Sequence, residues 1–119
     1  MSWYDEKVTP SDVLREAARL LCVDGWNPDQ GVSVRKEPRN NRFYSPSTVD
    51  GAIIRAYQCI RASWYTMTRA FNALYGSLGF EWRERDLKKW EKAPGRSAAS
   101  VERAVLRAAF QFDSGVLDV

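Results

Sequence analysis

Few side chains in this chain are equipped to make or break bonds. It has no histidine, so the commonest general base and the commonest metal ligand are both missing. Its two cysteines, Cys22 and Cys59, fall on apolar helical stretches, where a thiol behaves as a small hydrophobe and not as an activated nucleophile. They read as two reduced, buried thiols, and nothing else in the chain points to an oxidising compartment. Carboxylates such as Glu81 and Asp86 can meet in space, but no spacing singles them out for acid–base work. No zinc spacing, phosphate-cradling glycine loop or Gly-x-Ser-x-Gly turn occurs. The expectation is a protein that is not an enzyme and that uses no cofactor and no metal.

Binding chemistry is better represented. Arg35, Lys36, Arg39 and Arg42 stand with a single acid in residues 35–42, which accounts for the whole net charge of +3. Phe43 and Tyr44 follow directly, and arginine beside aromatic rings is a workable combination for nucleic acid. A handful of phosphate contacts gives salt-sensitive binding. A second basic stretch, Arg83 to Lys92, is interleaved with Glu84, Asp86 and Glu91 and reads as a solvated face with local ion pairs. The chain also carries five Trp, five Tyr and five Phe. Trp3 and Tyr4 in the N-terminal arm, with Trp64, Tyr65 and Trp82 further on, are residue types that dominate interface hot spots. They are the candidate protein-binding residues.

These side chains must be positioned by helices. Thr9-Pro10-Ser11-Asp12 reads as a capping box with proline at the first helical position. Val13, Leu14, Ala17, Ala18, Leu21 and Cys22 recur at helical spacing, and Gly25 stops the run. Residues 27–44 are irregular, with Gly31–Val34 and Arg42–Tyr44 able to pair as one small hairpin. A second helix starts near Ser45-Pro46 or Ser47 and runs through Ile60. A third covers about 64–75, ended by Gly76 and Gly79. A short fourth spans Glu84 to Lys92, with Leu87 and Trp90 facing inward, and a fifth covers 98–112. Between the last two lies Trp90-Glu91-Lys92-Ala93-Pro94-Gly95-Arg96-Ser97. Pro94 cannot continue a helix, Gly95 supplies unusual backbone angles, and Ser97 caps the fifth helix. This is a helix–break–helix corner. Trp26 and Trp90 read as core-packing rings, with Arg96 bonding helix-end carbonyls or an acid such as Asp24; an aromatic–arginine pocket for a small ligand or peptide is the alternative reading of the three.

The chain resembles a family of small actinobacterial and actinophage proteins classed as a domain of unknown function. The resemblance rests on Gly25-Trp26 followed by Gln30-Gly31, on Gly51-Ala52-Ile53-Ile54-Arg55-Ala56, and on the corner from Trp90 through Pro94, Gly95 and Arg96 to Ser97 and Val101. The family typically has Asn-Asp after the corner tryptophan, where this chain has Glu91-Lys92. It often has Trp-Cys just before the Gly-Ala pair, where Thr48-Val49-Asp50 stand here. The resemblance implies a helical fold and an actinobacterial or phage origin, and it implies no set activity.

With 119 residues and 45% apolar side chains, one domain can bury its own core. The expected fold is mainly α, a compact orthogonal bundle of about five helices, with one small β-hairpin between the first two as an option. Residues 1–8 form an arm and 113–119 a frayed tail. No signal peptide or membrane-spanning run is seen, so the expected setting is the cytoplasm, or the host cytoplasm for a phage protein. The expected role is a non-enzymatic protein that binds a host factor or a second copy of itself. Weak nucleic-acid binding through residues 35–42 is the alternative.

Overall fold

Helix α1 (Pro10–Val23) begins where the Thr9 hydroxyl accepts from the backbone N–H of Asp12 at 3.2 Å and the Asp12 carboxylate accepts from that of Thr9 at 3.0 Å. This capping box satisfies two donors that a helix start otherwise leaves open. The computed structural model describes residues 3–29, 47–79 and 84–117. Within them the chain forms α1, α2 (Val49–Cys59), α3 (Trp64–Leu78), α4 (Glu84–Glu91) and α5 (Ala98–Asp113). This is the compact, mainly-α bundle of five helices that the periodicity predicts. The hairpin segments at 31–34 and 42–44 lie outside the described residues.

Helix α1 is the hub, packed against α2, α3 and α5. Val13, Leu14, Ala17 and Leu21 of α1 meet Ile53 and Ala56 of α2, Ala70 and Leu74 of α3, and Val101, Val105 and Ala108 of α5 in one buried cluster. The many alanines at these positions let the helix axes approach closely, and the leucines, valines and Ile53 fill the remaining space. Each large aliphatic side chain so buried contributes about 1.5–3 kcal/mol. Helix α4 adds Leu87, also fully buried.

Several boundaries differ from those read in the sequence. Helix α2 starts at Val49, capped by the Thr48 hydroxyl, which accepts from Gly51 N–H at 3.2 Å. It ends at Cys59, and the chain then turns at Arg61, a non-glycine residue with φ of 59°. The α2–α3 turn thus carries no glycine or proline punctuation. Gly76 lies inside α3, and Gly79 alone ends that helix in the left-handed conformation. Residues 114–117 close α5: Val116 N–H donates to Gln111 O and Gly115 N–H to Phe112 O, the paired bonds of a Schellman cap, and Leu117 packs on the core.

The cysteines correct the sequence reading. Cys22 and Cys59 are both free and both exposed. In α1 the buried stripe centres on Val13, Ala17 and Leu21, and a rotation of about 100° per residue carries position 22 past its edge. Cys59 stands in the last turn of α2 beside exposed Gln58, where the helix emerges from the bundle.

Candidate functional site

Two groups of residues stand out from the bundle: a buried polar junction under the corner, and an aromatic face at the start of α3.

At the junction, Glu91 is only 2% exposed. One of its oxygens, Oε2, accepts from the Trp26 indole N–H at 2.8 Å and from the backbone N–H of Val49 at 3.1 Å. Val49 is the first residue of α2, so the end of α4 satisfies an otherwise open donor at the start of α2 and places negative charge where the helix dipole favours it. Burial raises the Glu91 carboxyl above its ordinary range, and the nearby Asp50 charge pushes the same way, while the two hydrogen bonds partly offset them. Helix α4 is therefore not the wholly solvated charged face that its alternating charges suggest. Glu91 follows Leu87 by one helical turn, and that spacing was the available signal.

Beside it, Arg55 donates to Asp24 at 2.5 Å, both side chains being nearly buried. Trp26 and Ser47 form an isolated bridge, which ties the end of α1 to the approach to α2. At the corner, Gly95 has φ of 83°. The Arg96 guanidinium lies 4.1 Å from the centre of the Trp90 ring, and its Nε donates to Trp90 O at 3.0 Å. The Ser97 hydroxyl then caps α5 by accepting from Ser100 N–H. Pro94 is exposed at the apex. Arg96 thus takes the helix-end carbonyl, whereas Asp24 belongs to Arg55. Trp26, Arg55, Trp90, Gly95 and Arg96 each hold a junction between elements together.

The aromatic face draws on three parts of the chain. Trp64 and Tyr65 open α3 and are 70% and 68% exposed. Helix α3 is capped by Ser63, whose hydroxyl accepts from Thr66 N–H at 3.0 Å. This leaves the two rings in the first turn, projecting beyond the packed part of the helix. The N-terminal arm comes alongside: Arg61 Nε donates to Trp3 O at 2.6 Å and Asp5 N–H to Arg61 O at 2.7 Å. Trp3 meets Tyr57 with ring centres 6.1 Å apart, and Tyr57 meets Trp64 edge-on at 6.4 Å. So Trp3, Tyr57 and Trp64 form one continuous row.

Trp64 separates two clefts. The first, of about 390 Å³, is lined by Asp50, Tyr57, Trp64, Phe71 and Tyr75, with Ile54 and Met67 among its apolar floor. The second, of about 770 Å³, runs between the arm and α3, past Tyr4, Trp64, Tyr65, Arg69 and Phe112. Its cation is already in place, since the Arg69 guanidinium lies 5.6 Å from the Tyr65 ring centre and 5.2 Å from that of Phe112.

Of the sequence candidates, Trp3, Tyr4, Trp64 and Tyr65 share this face. Trp82 and the basic residues Arg35, Lys36, Arg39 and Arg42 lie outside the described residues, as does Glu81. The sequence reading missed Tyr57, Phe71, Tyr75 and Asp50 as members of the face. Positions 64, 68, 71 and 75 recur at helical spacing, so the α3 part was legible as a stripe. The contribution of α2 depends on the unmarked turn at Arg61.

The sequence model of a family of unknown function, DUF6197, matches residues 5–111. The chain belongs to that family. The matched span includes the arm from Asp5, the Trp26–Glu91 junction, Tyr57 with the α3 part of the face, and nearly all of α5, while Trp3, Tyr4 and Phe112 fall just outside it. No curated protein and no solved structure matches. Among the described residues, no helix is long and apolar enough to cross a membrane, and no three acidic or cysteine side chains cluster as a metal site.

Proposed function

We propose that this DUF6197 protein is a non-enzymatic interaction protein that engages another protein through the row Trp3, Tyr57 and Trp64, with Tyr4 and Tyr65 at its edge. The observation that supports this reading is the exposure of Trp64 and Tyr65 on the ridge between two clefts. Large rings left in water cost solvation free energy that a partner recovers on binding, and Trp and Tyr concentrate that gain with few rotors to freeze. The setting we infer from the family resemblance is an accessory protein of an actinobacterium or its phage, acting in the cytoplasm on a host protein.

The test is affinity capture from a nuclease-treated actinobacterial lysate with the wild-type chain and with Trp64→Ala/Tyr65→Ala. The reading predicts a discrete protein retained by the wild type and lost from the double variant, with both chains equally folded by circular dichroism. Equal retention by both would exclude the aromatic face as the binding surface. Capture that disappears with nuclease treatment favours nucleic acid and the basic segment 35–42.

A further inference from the structure

The smaller cleft combines two features that bear on the chemistry of its occupant. Four of its described lining residues are aromatic: Tyr57, Trp64, Phe71 and Tyr75. They form two interacting pairs, Tyr57 with Trp64 at 6.4 Å and Phe71 with Tyr75 at 6.1 Å. Their wall is completed by Asp50, and no lysine or arginine occurs among the described lining residues. Ring faces carry negative quadrupole potential and attract cations, most strongly when water is displaced. A carboxylate beside them adds a full charge of the same sign. Asp50 is held in the first turn of α2, where its Oδ1 accepts from the Thr48 hydroxyl at 2.5 Å, so the acid is fixed in position. The second cleft shows the same principle already satisfied, with Arg69 stacked on Tyr65 and Phe112.

We propose that the Asp50 cleft receives a lysine side chain presented by the partner protein, its ammonium group held between the rings and the carboxylate. This rests on the aromatic face being a protein-binding surface. The four-carbon stem of lysine suits Ile54 and Met67, while its head group reaches the charged end. A lysine fits the electrostatics of this site better than an apolar anchor, because Asp50 is already nearly buried and an ammonium brings it a counter-charge that an apolar side chain lacks.

The experiment is a nitrogen-15 NMR titration of the full chain with the peptide acetyl-Gly-Lys-Gly-amide, and in parallel with its norleucine counterpart. The Trp64 indole signal is assigned by its loss in Trp64→Phe. Saturable shifts at Trp64 and along α3 are expected with the lysine peptide. Binding of the norleucine peptide should be at least fivefold weaker, and the difference should shrink as salt is raised. Asp50→Asn should reduce lysine-peptide affinity at least fivefold. Because Asp50 is buried, a second variant, Thr68→Lys, places a tethered cation at the exposed rim and should weaken binding without disturbing the core.

Equal binding of both peptides overturns the lysine assignment while leaving the protein-binding face standing. Absence of shifts at Trp64 with either peptide also overturns it. Shifts that emerge only after Arg35, Lys36, Arg39 and Arg42 are all changed to alanine mean that the chain's own basic segment fills the cleft, and the partner-lysine proposal falls. Loss of protein capture in Trp64→Ala/Tyr65→Ala is read separately, so failure here is distinguishable from failure of the interaction reading.

Discussion

Trp26 and Glu91 lie 65 residues apart, and the indole N–H of one donates to Oε2 of the other at 2.8 Å. The same oxygen accepts from Val49 N–H, so one buried carboxylate joins the end of α1, the start of α2 and the end of α4. Glu91→Leu removes the acceptor from two donors at a site that excludes water. The expected loss is about 1–3 kcal/mol for each donor left unsatisfied. Glu91→Gln keeps an oxygen for both and should stay within about 1 kcal/mol of the wild type. Urea unfolding of the three proteins checks this; equal stability of Glu91→Leu and wild type would contradict it.

The same residue sets a pH dependence. Burial, reinforced by Asp50, raises the Glu91 carboxyl above its reference value of 4.5. The fold therefore binds this proton more tightly than the unfolded chain does. The stability so supplied is fully present below about 4.5 and is lost as the pH rises through the elevated folded value. Glu91→Gln lacks this titration. Melting temperatures measured from about pH 4 to about pH 7 should show the wild type losing ground to Glu91→Gln as the pH increases. A constant difference across that range would contradict the assignment.

The Arg55–Asp24 pair is nearly buried and connects the C-cap of α1 to the middle of α2. Arg55→Ala removes the cation from a carboxylate held away from water, and a loss of about 3–5 kcal/mol is expected. Arg55→Lys should recover only part of it, since an ammonium cannot reproduce the planar fork of a guanidinium. Chemical denaturation of both variants tests the ranking, and full recovery by lysine would count against it.

The corner gives a graded set. Trp90 is half-buried against the core, with Arg96 stacked on it. Arg96→Ala should cost about 1 kcal/mol, the range of a partly exposed cation–π contact. Gly95→Ala meets open space but must adopt φ of 83°, so its expected cost is about 1–2 kcal/mol from the backbone alone. Trp90→Ala should exceed both, at about 3 kcal/mol or slightly less for a ring that is not fully enclosed. Thermal unfolding of the three variants would reveal a different order if Trp90 did not anchor the corner.

Much of this architecture is written locally. Thr9 with Asp12, Pro94 with Gly95, and Ser97 before a helical stripe are short-range signals, and each marks the boundary the structure has. The features that the sequence withheld are set by tertiary context. Arg61 turns the chain between α2 and α3 in a conformation that glycine normally supplies, so nothing in its type announces the turn. Glu91 is an acid in a charged helix, and only the approach of Trp26 and Val49 from elsewhere makes its burial sustainable. Cys22 sits one residue beyond a buried stripe, and such edges shift with the packing angle of the neighbouring helices. The row Trp3–Tyr57–Trp64 is assembled from the arm, α2 and α3, so its rings are visible in the sequence but their meeting is not.

The most direct test of the aromatic face as the interface is site-specific photo-crosslinking in cells. p-Benzoylphenylalanine replaces Tyr65 in one chain and Arg103 in another; Arg103 is exposed on α5 and half a helical rotation from Phe112, which lines the larger cleft. An interface at this face predicts a discrete protein adduct from position 65, absent from position 103 and abolished when Trp64→Ala is added. Adducts from position 103 alone, equal adducts from both positions, or none from position 65 would contradict it.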